Sequence, residues 1–513
     1  MLTFVVRRLL ATLLVVLAAS FIVFSLTSIS GDPLADLKES SSANRQERID
    51  ARIAELRLND PVPVRYVAWL GGAAKCLIGQ CDLGDSFTRG NQPVTDALGS
   101  AITSTLQLIT AATVIAIVFG LAIGMITALR QYSGFDYTIT FITFILYSLP
   151  IFWVAVLLKE YGAIRFNAFL SQPDIPWWLI LLIGVGAGLI WMSIIGGDLR
   201  RRGIALVSGF GVTSVLLGFL VITDWFSRPT IGIVGVLLTG AAIAIVVTLL
   251  STGLQNRRAL YASGAVVVFW AAIHYPLQFL FFSGRTWWWI LPALVILGIA
   301  AGALSGWLFG KDDKRQLART AGIVGGLTSL VIIVDRVLLV YPEYLQRIPI
   351  KNGAIATIGS RTPGLDGDIW ITMMDQFTHL LLPTIALTLI SFAAYTRYSR
   401  GSLLEVMNQD YVRTARAKGL TERTVIMRHA FRNAMIPIAT IISFDIGALI
   451  GGAIITEQIF AWQGMGYLFN EGLGHTDVNI VMGVFLVTGV VAVLFNLIAD
   501  LVYAALDPRI RVA

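Results

Sequence analysis

Residues 410–437 read DYVRTARAKGLTERTVIMRHAFRNAMIP, the most polar helical run in a very apolar chain. From Arg397 to Asn433 there are eight basic residues: Arg397, Arg400, Arg413, Arg416, Lys418, Arg423, Arg428 and Arg432. Three acids, Glu405, Asp410 and Glu422, stand against them, so this segment holds five of the chain's seven surplus positive charges. One hydrophobic run precedes it and another follows. A basic segment between two membrane spans lies on the cytoplasmic side, where Lys and Arg are retained.

Composition sets the class. Of 513 residues, 56% are apolar and 13% charged, and mean hydropathy is +0.77. A soluble domain carries about 25% charged residues. The expected fold is an all-α polytopic membrane protein of the plasma or inner membrane. Its basic balance follows from charge retention inside. Nucleic-acid binding would need a basic patch with interleaved aromatics on a soluble face, and none is visible.

The spans can be placed in order. Residues 4–29 form the first span: Arg7 and Arg8 precede about twenty apolar residues, enough to cross a core of roughly 30 Å. This run continues past the candidate cleavage site at Ala18-Ala19-Ser20, which favours an uncleaved span over a signal peptide. Residues 30–100 then form a long external loop. Within it, Ile49, Ile53 and Leu56 recur at helical spacing, and Pro61 and Pro63 are expected to end that helix. The two cysteines, Cys76 and Cys81, also lie in this loop, where a disulfide can persist; two free thiols are the other reading. Residues 102–129 span inward, with Gly120 and Gly124 on one face. Residues 137–158 span outward, with a kink expected at Pro150.

Six further apolar runs follow, at about 176–196, 204–223, 230–250, 259–282, 287–310 and 320–341. The links between them alternate between rich and poor in Lys and Arg. That alternation matches the parity set by the first three spans. Residues 377–395, 436–460 and 480–506 complete an expected twelve spans with both termini cytoplasmic.

Chemistry-bearing motifs are few. No GxxxxGK[ST] loop is present to cradle phosphates. Neither a Ser-His-Asp order nor an HExxH helix occurs, and His274, His379, His429 and His475 are scattered, so no catalytic or metal site is expected. Intramembrane charges are costly and often functional. Asp335 and Arg336 are neighbours in the ninth span. Asp445 lies beside Gly447 and Gly451, Glu457 lies near the outer end of that same span, and Asp500 is near the inner end of the last. Each reads either as pathway lining or as a charge tucked between helices.

DYVRTARAKGL followed by RHAFRNAMIP resembles the cytoplasmic signature loop of ABC importer permeases of the dipeptide/oligopeptide/nickel group. FVVRRLLATLLVVLAASFIVFSLTSISGDP, CDLGDSFTRGNQPVTDALGSAITSTLQL, GGAIITEQIFAWQGMGYLF and NLIADLVYAALDPRIR resemble, in order, other segments of that group. The pattern is nearer the first than the second of the two permeases in such importers. Arg413 and Thr414 stand where the general importer motif has Glu and Ala, whereas Ala415 and Gly419 fit it.

Members of the group usually have six spans. Residues 1–162 and 346–513 would therefore be a permease core, with 163–345 an inserted six-span module and 397–433 the cytoplasmic coupling loop. The resemblance implies that Gly419 turns the chain into a short coupling helix, about Leu420–Met427, lying across the membrane plane. That helix would dock on an ATPase subunit, with Arg413, Arg416, Lys418, Glu422 and Arg423 supplying contacts. Asp445, Gly447, Gly451, Glu457, Phe460 and Trp462 are the pathway or gate candidates.

The implied partners are a second permease, two ATPase subunits, an external substrate-binding protein and membrane lipid. ATP and Mg would be bound by the ATPases, with no cofactor in this chain. Two other classes compete: a secondary transporter, which would show two similar halves, and a membrane docking module. The loop at 410–437 has no counterpart in the first half.

Overall fold

The structure is a computed structural model that describes residues 2–41, 44–282, 287–311, 313–348, 353–450 and 453–506. Among these, ten helices are long and apolar enough to cross a membrane, or eleven if one bent pair is a single span. The bent pair stands where a third span kinked at Pro150 was expected at 137–158. Helices Gly134–Ser148 and Ile151–Ser171 meet at 101°. Leu149 is held extended (ψ 130°) before Pro150, whose ring disfavours helical backbone in the preceding residue. The span expected at 436–460 is also divided, into Arg432–Ile450 and the short helix Ile454–Ile459.

The chain separates into two compact units. One comprises residues 1–162, 357–360 and 380–513; the other comprises 163–356 and 361–379. In the first, helix Leu2–Ser30 leads into a small assembly of short helices. Ile49 and Ile53 of helix Arg45–Glu55 pack with Leu34, Leu37 and Leu58, as their spacing predicts. Pro61 and Pro63 do not end that helix, which stops earlier, at Glu55. They start the next one, Val62–Ala74, where proline at the first turn removes an N–H that would have had no partner. Cys76 and Cys81 are joined by a disulfide just beyond it.

A two-stranded ribbon, Asp85–Ser86 with Gln92–Pro93, then feeds helix Val94–Leu129. The buried Asp477 carboxylate holds this ribbon, accepting from Ser86 Oγ (2.8 Å), Thr88 Oγ1 (3.1 Å) and Ile480 N (3.3 Å). Lower in the unit, Gly120 and Gly124 let helix Val94–Leu129 approach Ile369–Met407 so closely that Ser399 Oγ donates to Gly120 O at 3.2 Å.

The second unit contains six long helices: Trp177–Ile195, Leu199–Ile222, Gly232–Ser251, Arg257–Phe282, Ile290–Phe309 and Lys314–Leu339. Gly298, Gly302 and Gly306 form one edge of Ile290–Phe309 and meet the backbone of Lys314–Leu339. A Cβ on Gly302 would lie 2.0 Å from Ala321 O, so only hydrogen fits there. Trp270 is fully buried and donates from Nε1 to Gly325 O at 3.0 Å.

Asp335 is fully buried and organises this unit. Its Oδ1 accepts from Thr230 Oγ1 (2.9 Å), Ile231 N (2.7 Å) and Gly232 N (3.1 Å), closing the start of helix Gly232–Ser251. Oδ2 accepts from His274 Nε2 at 2.7 Å and Gln278 Nε2 at 3.4 Å. Its sequence neighbour Arg336 points elsewhere, over the Trp370 ring. The reading of Asp335 as a charge tucked between helices is the one its contacts fit.

Replacing Asp335 with Ala strands several buried donors. The expected loss is about 3 kcal/mol or more, by analogy with breaking a buried charged pair. Thermal unfolding of the full chain in detergent should show a clearly lowered midpoint. Asp335→Asn, which keeps one acceptor oxygen, should be milder.

Candidate functional site

Segment 410–437 is built around one turn. Helix Asp410–Ala417 buries Val412 and Ala415, three residues apart on one face, against Val425, Val406 and Met407. Its other face carries exposed Arg413 and Arg416. Gly419 follows with φ +73° and donates from N to Arg416 O at 2.9 Å. Nothing lies near the position of a Cβ there, so the need for glycine is conformational rather than spatial. Thr421 caps the next helix by accepting from Thr424 N at 3.4 Å.

The short helix expected at Leu420–Met427 is not a separate element. Helical backbone begins at Glu422, widens to π geometry over Val425–Phe431, and continues as Arg432–Ile450. The absence of any turn signal between Met427 and Pro437 accounts for this continuity.

Arg416 and Glu422 join across the glycine turn, through Nη2 to Oε1 at 2.7 Å and Nε to Oε2 at 3.1 Å. The hydrogen bonds from Arg416 hold the Glu422 carboxyl below its ordinary value, and the same bonds raise the Arg416 guanidinium. Both side chains are well exposed, so the pair contributes to the shape of the turn more than to stability. Of the residues singled out, Arg416, Gly419 and Glu422 come together in the turn. Arg413, Lys418, Leu420 and Arg423 are exposed around it.

A second link here was missed in the sequence. Asp136 accepts from Arg400 Nε (2.8 Å) and Nη2 (2.9 Å), and also from Tyr132 N (3.1 Å). Ser133 Oγ accepts from Asp136 N, capping helix Gly134–Ser148. The S-x-x-D spacing at Ser133–Asp136 is the visible signal of that cap. Nothing local points to Arg400, the residue that opposes a carboxylate only 3% exposed. Arg400 lies on Ile369–Met407, the helix leading into the basic turn.

The gate candidates are placed as follows. Glu457 is fully buried in the short helix Ile454–Ile459. Its oxygens accept from Thr105 Oγ1 (2.9 Å) and Tyr467 N (2.8 Å). Thr105 Oγ1 in turn accepts from Met465 N at 2.7 Å, and Trp462 donates from Nε1 to Ser104 O at 3.1 Å. Lys159 Nζ holds Ile459 O at 2.9 Å, and Gly359 N holds Phe460 O at 2.9 Å. Glu457 and Trp462 therefore fasten this segment to helix Val94–Leu129, while the Phe460 carbonyl ties it to Gly359.

Asp445 stands apart, half-buried near Tyr395. Gly447 faces Phe495, and Gly451 and the Asp500 side chain lie outside the described residues. Among the described residues, no group of three or more His, Cys, Asp or Glu is placed to hold a metal.

Comparison with known proteins fits this arrangement. The profile of the binding-protein-dependent transport system inner membrane component matches residues 319–512, and that of the N-terminal part of such components matches residues 1–109. The oligopeptide transport system permease protein OppB of Mycobacterium bovis is 34% identical over 225 residues, 43% of this chain and 69% of that one. The chain belongs to the binding-protein-dependent transport system inner membrane components. The oligopeptide permease AppB of Bacillus subtilis is 44% identical over 139 residues, 27% of this chain and 44% of that one. The dipeptide permease DppB of Escherichia coli is 45% identical over 148 residues, 29% of this chain and 42% of that one. This chain is thus a multi-pass cell-membrane permease of the ABC importer type, similar to peptide permeases.

The buried and the exposed ion pair should respond differently to neutralisation. Asp136→Ala leaves Arg400 facing a partly buried gap and is expected to cost about 3 kcal/mol or more. Glu422→Gln should change stability by less than about 1 kcal/mol. Denaturation midpoints of the two variants in one detergent compare them directly.

Proposed function

We propose that the chain is one transmembrane subunit of an ATP-driven, binding-protein-dependent importer of peptides. The observation that carries the coupling part of this reading is the turn at Arg416–Glu422. It presents exposed polar groups over a packed apolar base of Val412, Ala415 and Val425. Such a turn can transmit a push without collapsing. Its backbone continues directly into helix Arg432–Ile450, and the buried Asp136–Arg400 pair braces the helix that leads into it.

The partners are a second permease, two ATPase subunits that bind ATP and Mg, and an external substrate-binding protein. The ATPase pair closes on ATP, presses on the turn, and tilts the helices so that access alternates between the two sides. Arg413, Lys418, Leu420 and Arg423 supply the docking surface, with lipid along its flanks. Similarity to an oligopeptide and a dipeptide permease supports a peptide cargo.

The architecture we favour has twelve spans with both termini cytoplasmic. The permease core occupies 1–162 and 346–513, and the six-helix module at 163–345 interrupts it. The division of the chain into units near residues 162 and 356 supports such an interruption. Residues 445–462, with Asp445 and Glu457, belong to the outer part of the pathway and its gate.

Two measurements test this reading. The purified chain alone should hydrolyse no ATP, whereas the four-subunit assembly should do so with peptide-loaded binding protein; hydrolysis tracking with the isolated chain would sink the proposal. Gly419→Val forces a β-branched residue into left-handed backbone, at about 1–2 kcal/mol. ATP-driven peptide uptake should then fall roughly tenfold, with peptide binding to the separate binding protein unchanged.

A further inference from the structure

A cavity of about 220 Å³ lies in the assembly of short helices of the first unit. It is bounded by the outer end of helix Leu2–Ser30, the turn at residues 55–58, helix Val62–Ala74, and the segments at 82–84 and 476–479. At roughly 30 Å³ of liquid volume per water, it has room for about seven waters or one small solute.

Its lining carries several hydrogen-bond donors that have no partner. Arg57 and Arg65 both line it, and among the described residues neither guanidinium has a hydrogen bond or ion pair. Arg65 lies over the Phe24 ring, 5.9 Å from its centre, and burial lowers it from its ordinary value, with the Asp60 charge acting in the opposite direction. Three lining residues carry buried polar atoms without a partner: Ser28 Oγ, Arg65 Nε and Trp69 Nε1. Buried donors of this kind normally have an acceptor, so a cluster of them around a void marks a place for one.

Two carboxylates also line the cavity, and each is half used. Asp82 Oδ1 accepts from Gly84 N at 3.2 Å, and Glu55 Oε2 accepts from Asn91 Nδ2 at 3.3 Å. The second oxygen of each is free to take a cation. Arg57 is held here by left-handed backbone (φ +49°), which costs energy for a non-glycine residue and fixes its position at the cavity wall.

We propose that this cavity binds the backbone ends of a short zwitterionic peptide. The C-terminal carboxylate is held by Arg65 and Arg57, and the amino group by the free oxygens of Glu55 and Asp82. Trp69 and Phe24 supply an apolar wall. Identifying the solute as a peptide rests on the importer reading above, whereas the juxtaposition of unpartnered donors with half-used carboxylates rests on the cavity alone. A phospholipid headgroup or free phosphate would present related chemistry, and the test separates these sources.

The full chain is placed in lipid nanodiscs and titrated calorimetrically with Ala-Ala, with Ala-Ala carrying a C-terminal amide, and with inorganic phosphate. The titrations are run with and without phosphatidylethanolamine. Ala-Ala is expected to bind in both lipids, and the amide at least about tenfold more weakly, because one charge-assisted contact is lost. R65Q should weaken Ala-Ala to a similar degree. R57Q changes an exposed residue that folding does not depend on, and it should weaken Ala-Ala in the same direction. The proposal is overturned if the amide binds as well as the acid, if R57Q and R65Q bind as wild type does, if phosphate binds but Ala-Ala does not, if phosphatidylethanolamine abolishes binding, or if no heat is seen. Uptake by the wild-type four-subunit assembly is scored separately, so a failed importer reading and a failed site are told apart.

Discussion

A backbone N–H that is withdrawn from water and lies outside a helical ladder needs an acceptor, and buried carboxylates supply it here. Asp136, Asp335, Asp375, Glu457 and Asp477 are each almost wholly buried. Each accepts from backbone at a place where regular structure stops: Tyr132 N, Ile231 and Gly232 N, Thr362 N, Tyr467 N and Ile480 N respectively. In lipid no water can take over that task. The long helices satisfy themselves; several of their ends, and the loops beside them, depend on these five side chains.

The same device explains the contrast between the two sides of the first unit. The loop after Ile459 is held through Glu457 and Thr105 and has little freedom. The basic turn at Gly419 has no buried charge of its own. It is shaped by a left-handed glycine, a threonine cap and an exposed ion pair, on a small apolar base. A fastened loop suits a seal, and an exposed, compact turn suits a docking surface that is pushed from outside. In the second unit, glycine-lined backbone contact at Gly302 and the Asp335 cluster make a helical bundle with its own core.

Much of the helical layout could be read from the chain because the bilayer imposes it. Runs of about twenty apolar residues stand out against charged links, and charge retention orients them. The breaks were less visible. Pro150 announced a kink, but its size, 101°, could not be read from the proline. Between Met427 and Pro437, resemblance suggested an element boundary where the backbone continues. Asp136 gives no local sign of its partner, which lies 264 residues away.

The local features, then, were settled by residue chemistry: the apolar runs, the left-handed turn at Gly419 and the proline start at Val62–Ala74. Each depends on neighbours within a turn or two, and propensity and sterics act at that range. The partners of the buried charges were settled by folding. Thr105 meets Glu457 across 352 residues, and Thr230 meets Asp335 across 105. No periodicity encodes such pairs, because the helix that delivers the donor is chosen by how whole surfaces pack. The cavity at Arg65 likewise exists only once five segments, from Phe24 to Asn479, have closed around it.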